Sequence, residues 1–235
     1  MGVSKRRSCL TCEVREGECF CALGPEALRE LDASGSCLKF FAGESVLHEG
    51  DSADRVYVVC RGRVKLMASS AEGRLLLLRI AGPGDVLGLA AALKETKHQV
   101  TVEALEACEV KAMDRAEFFR LMDRFRDVSR NAAKSVALEY EGAMVSVRRL
   151  AFSGSAARKL TDVLLQWARV TEDEMGVEAI EFSMPFTHEE LGNFAGLSRE
   201  TVTRLLSRFK REGLLEQEGE RMILRQPAKM KTLYR

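Results

Sequence analysis

Residues 187–213 read THEELGNFAGLSRETVTRLLSRFKREG, a stretch that admits little besides two helices joined by a tight turn. Thr187 is placed to cap the first helix, and Glu190, three residues on, completes a capping box. Gly196 breaks that helix, and Ser198 supplies a fresh N-cap for a second, which runs from residue 199 to about 211 before Gly213 ends it. In the second helix Val202, Leu205, Leu206 and Phe209 recur at the 3.6-residue period and share one face. The other face carries Glu200, Thr203, Arg204, Ser207 and Arg211, with Arg199 in the first turn. Such a pair is either a hairpin with a solvated charged face or a unit that sets a polar helix in the major groove of DNA. The tract that follows, LLEQEGERMILR, alternates about an acidic turn containing glycine and reads as a two-stranded wing, which favours DNA.

The chain of 235 residues is long enough for two compact domains and a connecting element. With 46% hydrophobic and 30% charged residues it has the composition of a globular protein. No apolar run approaches a membrane span, and the start, MGVSKRRSCLTCE, is basic without the apolar core of a secretory signal. The expectation is a cytoplasmic protein with no membrane partner. Net charge is +1, yet residues 186–235 hold ten Lys and Arg against seven Asp and Glu, or +3, leaving −2 for the remainder. That asymmetry permits DNA binding without requiring it. No nucleophile–base pair, phosphate loop or paired carboxylates speak for an enzyme.

Seven cysteines in a chain without an export signal point to reduced thiols, and clusters of them to metal or redox chemistry. Four crowd into an arm formed by residues 1–24: Cys9 and Cys12 at the spacing that presents two thiolates to one metal, then Cys19 and Cys21 after the charged loop EVREGE. Three readings stand side by side. The arm holds an iron–sulfur cluster through three of these thiolates and a distant fourth, or a zinc ion through all four, or no metal at all.

From Cys37 to Met113 short β-type runs alternate with turn signals at Gly43, Gly50–Asp51, Arg61–Gly62, Glu72–Gly73 and Gly82–Pro83–Gly84. Residues 25–115 therefore read as an all-β barrel or jelly roll, entered by a short helix near 25–31. Between residues 116 and 150, Phe118, Leu121, Phe125, Val128, Ala132, Val136, Tyr140, Ala143, Val147 and Leu150 recur every three or four positions, with Gly142 the one glycine and no proline. One long amphipathic helix is expected there, long enough to pair with a second copy. FSGSA at 152–156 is a break. A helix over SAARKLTDVLLQWARV, a polar loop TEDEMGVEA and a strand over IEFSMPF then lead into the opening motif. The fold class is α+β: a β-roll, a long helix, and a winged helix over 151–235.

The segment SRETVTRLL at 198–206 closely resembles the recognition helix of the CRP/FNR family of transcription regulators, and the resemblance extends over nearly the whole chain after residue 20. It implies a β-roll like the cyclic-nucleotide-binding domain, a homodimer formed through the long helix, and a winged helix-turn-helix. Two recognition helices would enter successive major grooves about 34 Å apart and read an inverted repeat. The resemblance implies that Glu200 and Arg204 read a TGA-like half-site core, with RNA polymerase as a further partner. Arg204 suits a guanine through O6 and N7, and Glu200 a cytosine amino group. Arg199 resembles a position where cyclic-AMP receptors carry a guanine-reading arginine, and Thr203 matches a serine that FNR proteins turn toward thymine. Thr187, Ser198, Thr201 and Arg208 are expected on phosphates. Asp127 and Arg130 sit where charge near the dimer helix controls the FNR type.

The same resemblance bears on the signal. FNR-type sensors carry a cysteine-rich arm and a fourth cluster ligand far along the chain, and Cys108 in LEACEVKAMD occupies the matching place. It implies a [4Fe–4S] cluster on Cys9, Cys12, Cys19 or Cys21, and Cys108, answering oxygen, nitric oxide or redox state. In cyclic-AMP receptors a Glu and an Arg-Ser pair hold the nucleotide. Here Gly88–Leu89–Ala90 offers no Glu and Gln99–Val100 replaces the pair, so the phosphate has no arginine fork, which argues against cyclic AMP. Zinc or thiol redox, haem on His48 or His98, a small organic effector, and activity without effector are the alternatives.

Overall fold

A computed structural model describes residues 8–12, 14, 19–69, 75–152, 154–168, 176–184 and 186–233. The chain divides into two compact units: Met1–Ala68 with Leu78–Ala143, and Ser69–Leu77 with Met144–Arg235. No helix among the described residues is long and apolar enough to cross a membrane.

In the first unit, helix α1 (Pro25–Ala33) precedes a roll of two antiparallel sheets. One sheet orders β1 (Ser36–Phe40), β8 (Cys108–Asp114), β3 (Arg55–Arg61) and β6 (Val86–Leu87). The other orders β2 (Ser45–Leu47), β7 (Thr101–Ala104), β4 (Val64–Ser69) and β5 (Leu75–Ala81). Side chains alternate across β3 with period two. Val59 points with Val110 and Cys108 into the space between the sheets, where Leu66, Val102 and Ala104 meet them. Val56 and Val58 point the opposite way with Met113, onto the outer face. That face is covered by Phe20, α1, α2 (Leu89–Lys94), α3 (Arg115–Arg124) and the start of α4 (Arg126–Phe152). Strand β3 is thus apolar on both faces, which explains the unbroken hydrophobic run at 56–59.

The register of β3 on β8 slips once. Val59 pairs with Val110 and Arg61 with Glu109, so Cys60 is the extra residue of a β-bulge.

The single long helix expected over residues 116–150 is instead two. Phe125 adopts an extended conformation, φ −122° and ψ 114°, between α3 and α4. The periodicity did not betray the break because Phe118, Leu121, Val128 and Ala132 all enter one core. The carbonyl of Met122, released by the break, accepts the Ser129 hydroxyl. Farther along α4, Leu138, Tyr140, Val145 and Val147 are 44–66% exposed.

The second unit is a winged helix. Helices α5 (Ala156–Trp167), α6 (His188–Ala195), α7 (Arg199–Arg211) and α8 (Pro227–Leu233) accompany a three-stranded antiparallel sheet ordered β10 (Leu215–Glu218), β11 (Arg221–Arg225), β9 (Ala179–Ser183). Leu160, Leu164, Leu191, Val202, Phe209 and Leu224 are fully buried at its centre. Trp167, Phe186 and Phe194 stack edge-to-face, with ring centres 4.4 and 4.6 Å apart, and close one end of that core. Helix α8 was not anticipated, because PAKMKTL is only seven residues long and opens on a proline. The expected strand IEFSMPF ends at Ser183. The basic start at 1–7, the turn Glu72–Gly73, residues 171–175 of the polar loop, Ser153 of the break and Pro185 lie outside the described residues, as does the side chain of Leu150.

Candidate functional site

Local chemistry builds the helix-turn-helix. The Thr187 hydroxyl accepts from Glu190 N at 3.2 Å, while the Glu190 carboxylate accepts from Thr187 N at 2.9 Å. Gly196 then takes a left-handed conformation, φ +63°, which costs a glycine little. A Cβ on Gly192 would lie 2.6 Å from the Leu197 carbonyl, so a glycine there lets the turn pass close behind α6. Ser198 caps α7 by accepting from Thr201 N. The amphipathic pattern holds: Val202, Leu205, Leu206 and Phe209 are buried, and Arg199, Glu200, Thr203, Arg204, Ser207, Arg208 and Arg211 are exposed.

The expected DNA-reading residues therefore share one solvent face, with some already engaged. Arg208 pairs with Glu212 at 2.7 Å. Glu200 makes no ion pair with Arg204 among the described residues; its carboxylate accepts from its own N–H and from Ser198, which hold it below the usual carboxylate range. Thr203 donates to the Arg199 carbonyl at 3.0 Å and lies 2.8 Å from His188 Nδ1, a contact between α6 and α7 that the sequence did not suggest. The caps Thr187 and Ser198 also engage side chains, Thr187 donating to the Glu190 carboxylate at 3.0 Å and Ser198 lying 3.1 Å from the Thr201 hydroxyl.

The cysteine arm lies on the outer face of the first sheet. Cys9 and Cys21 pack against the core that holds Val58 and Met113. Cys9 N donates to Asp32 Oδ1 at 2.6 Å, Phe20 N to the Gly84 carbonyl at 3.1 Å, and Cys19 Sγ to the Val14 carbonyl at 3.1 Å. Gly84, φ +89°, belongs to the tight turn whose N–H binds Val59 O, and a Cβ there would lie 2.5 Å from Cys19 Cβ. Burial pushes the Cys9 thiol up to about 11 and the Cys60 thiol up to about 12. Cys21 is raised too, by burial first and then by its neighbours Cys19, Cys60, Cys9 and Cys12.

Cys108 is not among them. It is buried between the two sheets, donates to the Arg63 carbonyl at 3.2 Å, and sits on the opposite side of β8 from the arm. The expected ligand set of arm cysteines plus Cys108 is not brought together. The physical reason is parity: Cys108 and Val110 point inward, Lys111 and Met113 outward. All seven cysteines stand as thiols, and among the described residues no three His, Cys, Asp or Glu side chains converge tightly enough to hold a metal as they stand.

The arm is tied to α4. Asn131, 5% exposed, donates to the carbonyls of Phe20 and Ala22, and Asp127 accepts from Gly24 N at 2.6 Å. Asp127, expected to tune a dimer contact, is thus a fastening for the arm.

A cavity of about 420 Å³ opens between the roll and α4. Arg79 on β5 and Glu139 on α4 are its charged wall, over an apolar floor that includes Leu66, Leu78, Val100 and Val136. Arg79 Nη1 pairs with Asp85 at 3.1 Å, while its Nε is buried and meets no acceptor among the described residues. Burial raises the Glu139 carboxyl against the pull of Arg79. A Cβ on Gly142 would lie 3.1 Å from Arg79 Cδ, so the glycine gives the guanidinium room beneath the helix. Gln99 and Val100, which replace the expected Arg-Ser pair, line this cavity. His98 is buried in the same wall, with burial holding its pKa down, whereas His48 is exposed.

Residues 37–125 match the family described as "Cyclic nucleotide-binding domain", and residues 158–233 that described as "Crp-like helix-turn-helix domain". The "Transcriptional regulatory protein btr" of Bordetella pertussis is 34% identical over 182 residues, which span 74% of this chain and 70% of that protein. The "CRP-like cAMP-activated global transcriptional regulator" of Mycobacterium tuberculosis is 25% identical over 205 residues, 87% of this chain and 91% of the relative. Among solved structures, FixK2 from Bradyrhizobium japonicum superposes with a TM-score of 0.69 at 23% identity, over 85% of this chain and 96% of the other. The regulator CLP of Xanthomonas campestris gives 0.72 at 19% identity, over 86% and 99%. These two likenesses speak to the fold.

Proposed function

The chain belongs to the CRP/FNR family of transcription regulators, and from that premise we propose that it is a homodimeric, sequence-specific DNA-binding regulator gated by a signal received in its N-terminal half. Members of this family bind DNA and act as dimers. The observation that carries the reading is the face of α7. Arg199, Glu200, Thr203 and Arg204 stand exposed together on a helix whose start is capped and whose opposite side is buried. The natural target is an inverted repeat with TGA-like half-sites, bound in the cytoplasm in partnership with RNA polymerase. Fluorescence anisotropy on such a repeat and on a scrambled duplex of equal length tests it. Specific binding should exceed non-specific by at least about 10³ at physiological salt. Equal affinity for both duplexes would remove the reading.

The signal on this reading is oxygen, nitric oxide or redox state, received by an iron–sulfur cluster on the arm. What supports it is that Cys9 and Cys21 pack on one sheet face and that the segment is fastened to α4 through Asn131 and Asp127; the thiols would have to draw closer to hold a cluster. A thiolate-held cluster supplies a centre that oxygen or nitric oxide can destroy. The chain's own part is to hold residues 20–24 against α4, so that a change in the arm shifts the populations of two dimer arrangements. Protein purified without air should be brown and bleach on exposure; a colourless preparation would contradict this.

A second reading rests on the cavity. A buried Arg79 Nε that meets no acceptor among the described residues, over an apolar floor, favours a small organic effector bearing an acceptor oxygen. DNA affinity indifferent to air but responsive to such a compound would select it.

A further inference from the structure

Resting on the second reading above, in which the cavity receives a small organic effector, we infer that this effector is an apolar monocarboxylic acid. Its carboxylate accepts from Arg79 Nε, and its hydrocarbon body lies over Leu66, Leu78, Val100 and Val136.

The first ground is a donor held ready. Arg79 Nη1 pairs with Asp85 Oδ1 at 3.1 Å, and Asp85 Oδ2 accepts from Gly82 N at 2.7 Å. Asp85 thus spends one oxygen on the arginine and the other on its own turn. The guanidinium is fixed in place, while Nε is buried and meets no acceptor among the described residues. A buried donor on a charged group is rarely left so, and a carboxylate oxygen is the acceptor that gains most from it. Helix α4 is shaped for the same group. Gly142 stands over the arginine stem, where a Cβ would lie 3.1 Å from Arg79 Cδ and 3.6 Å from Cγ. Glycine weakens the interior of a helix, and here it admits an arginine beneath one.

The second ground is charge. Arg79 and the exposed Lys94 and Lys97 stand against Asp85 and Glu139, three cations to two carboxylates, a balance of +1. His98 in the same wall adds nothing at neutral pH, since burial holds its pKa down. One carboxylate closes that balance. An amine widens it, and a dicarboxylate reverses it.

The third ground is the lining away from Arg79. Leu66, Leu78, Val100 and Val136 offer no side-chain partner to sugar hydroxyls or to the edges of a base. The volume of about 420 Å³ falls within the range of about 300–1,000 Å³ for small-molecule sites. An acid with a short aliphatic or aromatic body satisfies both the floor and the arginine.

The test uses the full chain and isothermal titration with octanoate, octanamide, octylamine and suberate, with cyclic AMP as competitor. Octanoate should bind, octanamide at least about tenfold more weakly, and octylamine and suberate more weakly still. Cyclic AMP should not displace octanoate. Octanoate whose tail ends in a diazirine should, under light, label Leu66, Val100 or Val136. Arg79→Lys keeps a cation for Asp85 but has no Nε, so it should weaken octanoate at least about tenfold and move octanamide less. If that variant fails to fold, the compound series and the labelled positions on wild type decide. Octanamide or octylamine binding as tightly as octanoate overturns the acid. So does labelling confined to Leu138 and Val145, on the exposed side of α4, or a folded Arg79→Lys that binds octanoate as wild type does. Octanamide or cyclic AMP binding in the cavity where octanoate does not overturns the acid and leaves the effector reading intact. If none of these compounds binds, that reading falls with it.

Discussion

The side-chain amide of Asn131 on α4 donates to the carbonyl of Phe20 at 3.0 Å, and to that of Ala22 at the same distance. One buried side chain thereby satisfies two backbone acceptors of the arm, 111 and 109 residues away in sequence. Asn131→Ala should cost about 1–3 kcal/mol, since both carbonyls lose a buried donor. Urea unfolding of the metal-free protein measures it. A loss below about 0.5 kcal/mol would mean the arm does not depend on this bond.

At the other end of the chain, Thr187→Ala removes one half of the α6 capping box. The expected loss is about 0.5–2 kcal/mol. It should fall on the unfolding of the winged helix and leave the β-roll transition unmoved. Thr187→Ser, which keeps the hydroxyl, should recover most of it.

Arg204 stands exposed in the middle of α7 with its guanidinium open to a base edge. Arg204→Ala should weaken specific binding by about 1–3 kcal/mol and relax selection at one guanine. Anisotropy titrations against duplexes varied at each half-site position would reveal it. Equal weakening on specific and random DNA would make Arg204 a phosphate contact.

Alkali should loosen the metal-free protein. The Cys9 thiol rises from an ordinary 9.0 to about 11 in the fold, and Cys60 to about 12. Between those values the folded protein binds more protons than the unfolded chain, so stability falls as pH rises. The contribution is intact below about pH 9 and fades through pH 11. Cys9→Ser should flatten the slope of urea midpoint against pH in that window; an unchanged slope would contradict it.

The helix-turn-helix was legible to within a residue because each boundary carries its own local signal: Thr187 with Glu190, then Gly196, Ser198 and Gly213. The strands around Gly43, Gly50, Gly62 and Gly84 were legible for the same reason. What escaped depends on partners distant in sequence. The break at Phe125 hides inside an unbroken apolar period, because both helices feed one core. Cys60 offers no spacing to notice; its place is fixed by how β3 slips on β8. Cys108 looked eligible because resemblance gives a position along a strand, and only the packing shows which side of the sheet it serves. The cavity's Arg79 and Glu139 are 60 residues apart and meet only when α4 crosses the roll.

The bond between His188 and Thr203 limits what α7 can say to a base. The Thr203 hydroxyl has one proton, which goes to the Arg199 carbonyl, so His188 Nδ1 must be the donor to Thr203 Oγ1. Facing DNA, Thr203 then has no proton to offer a thymine O4. It keeps one lone pair, suited to the amino group of an adenine or cytosine, and a methyl suited to the methyl of thymine. The vocabulary of that position is set from behind, by a histidine on the neighbouring helix.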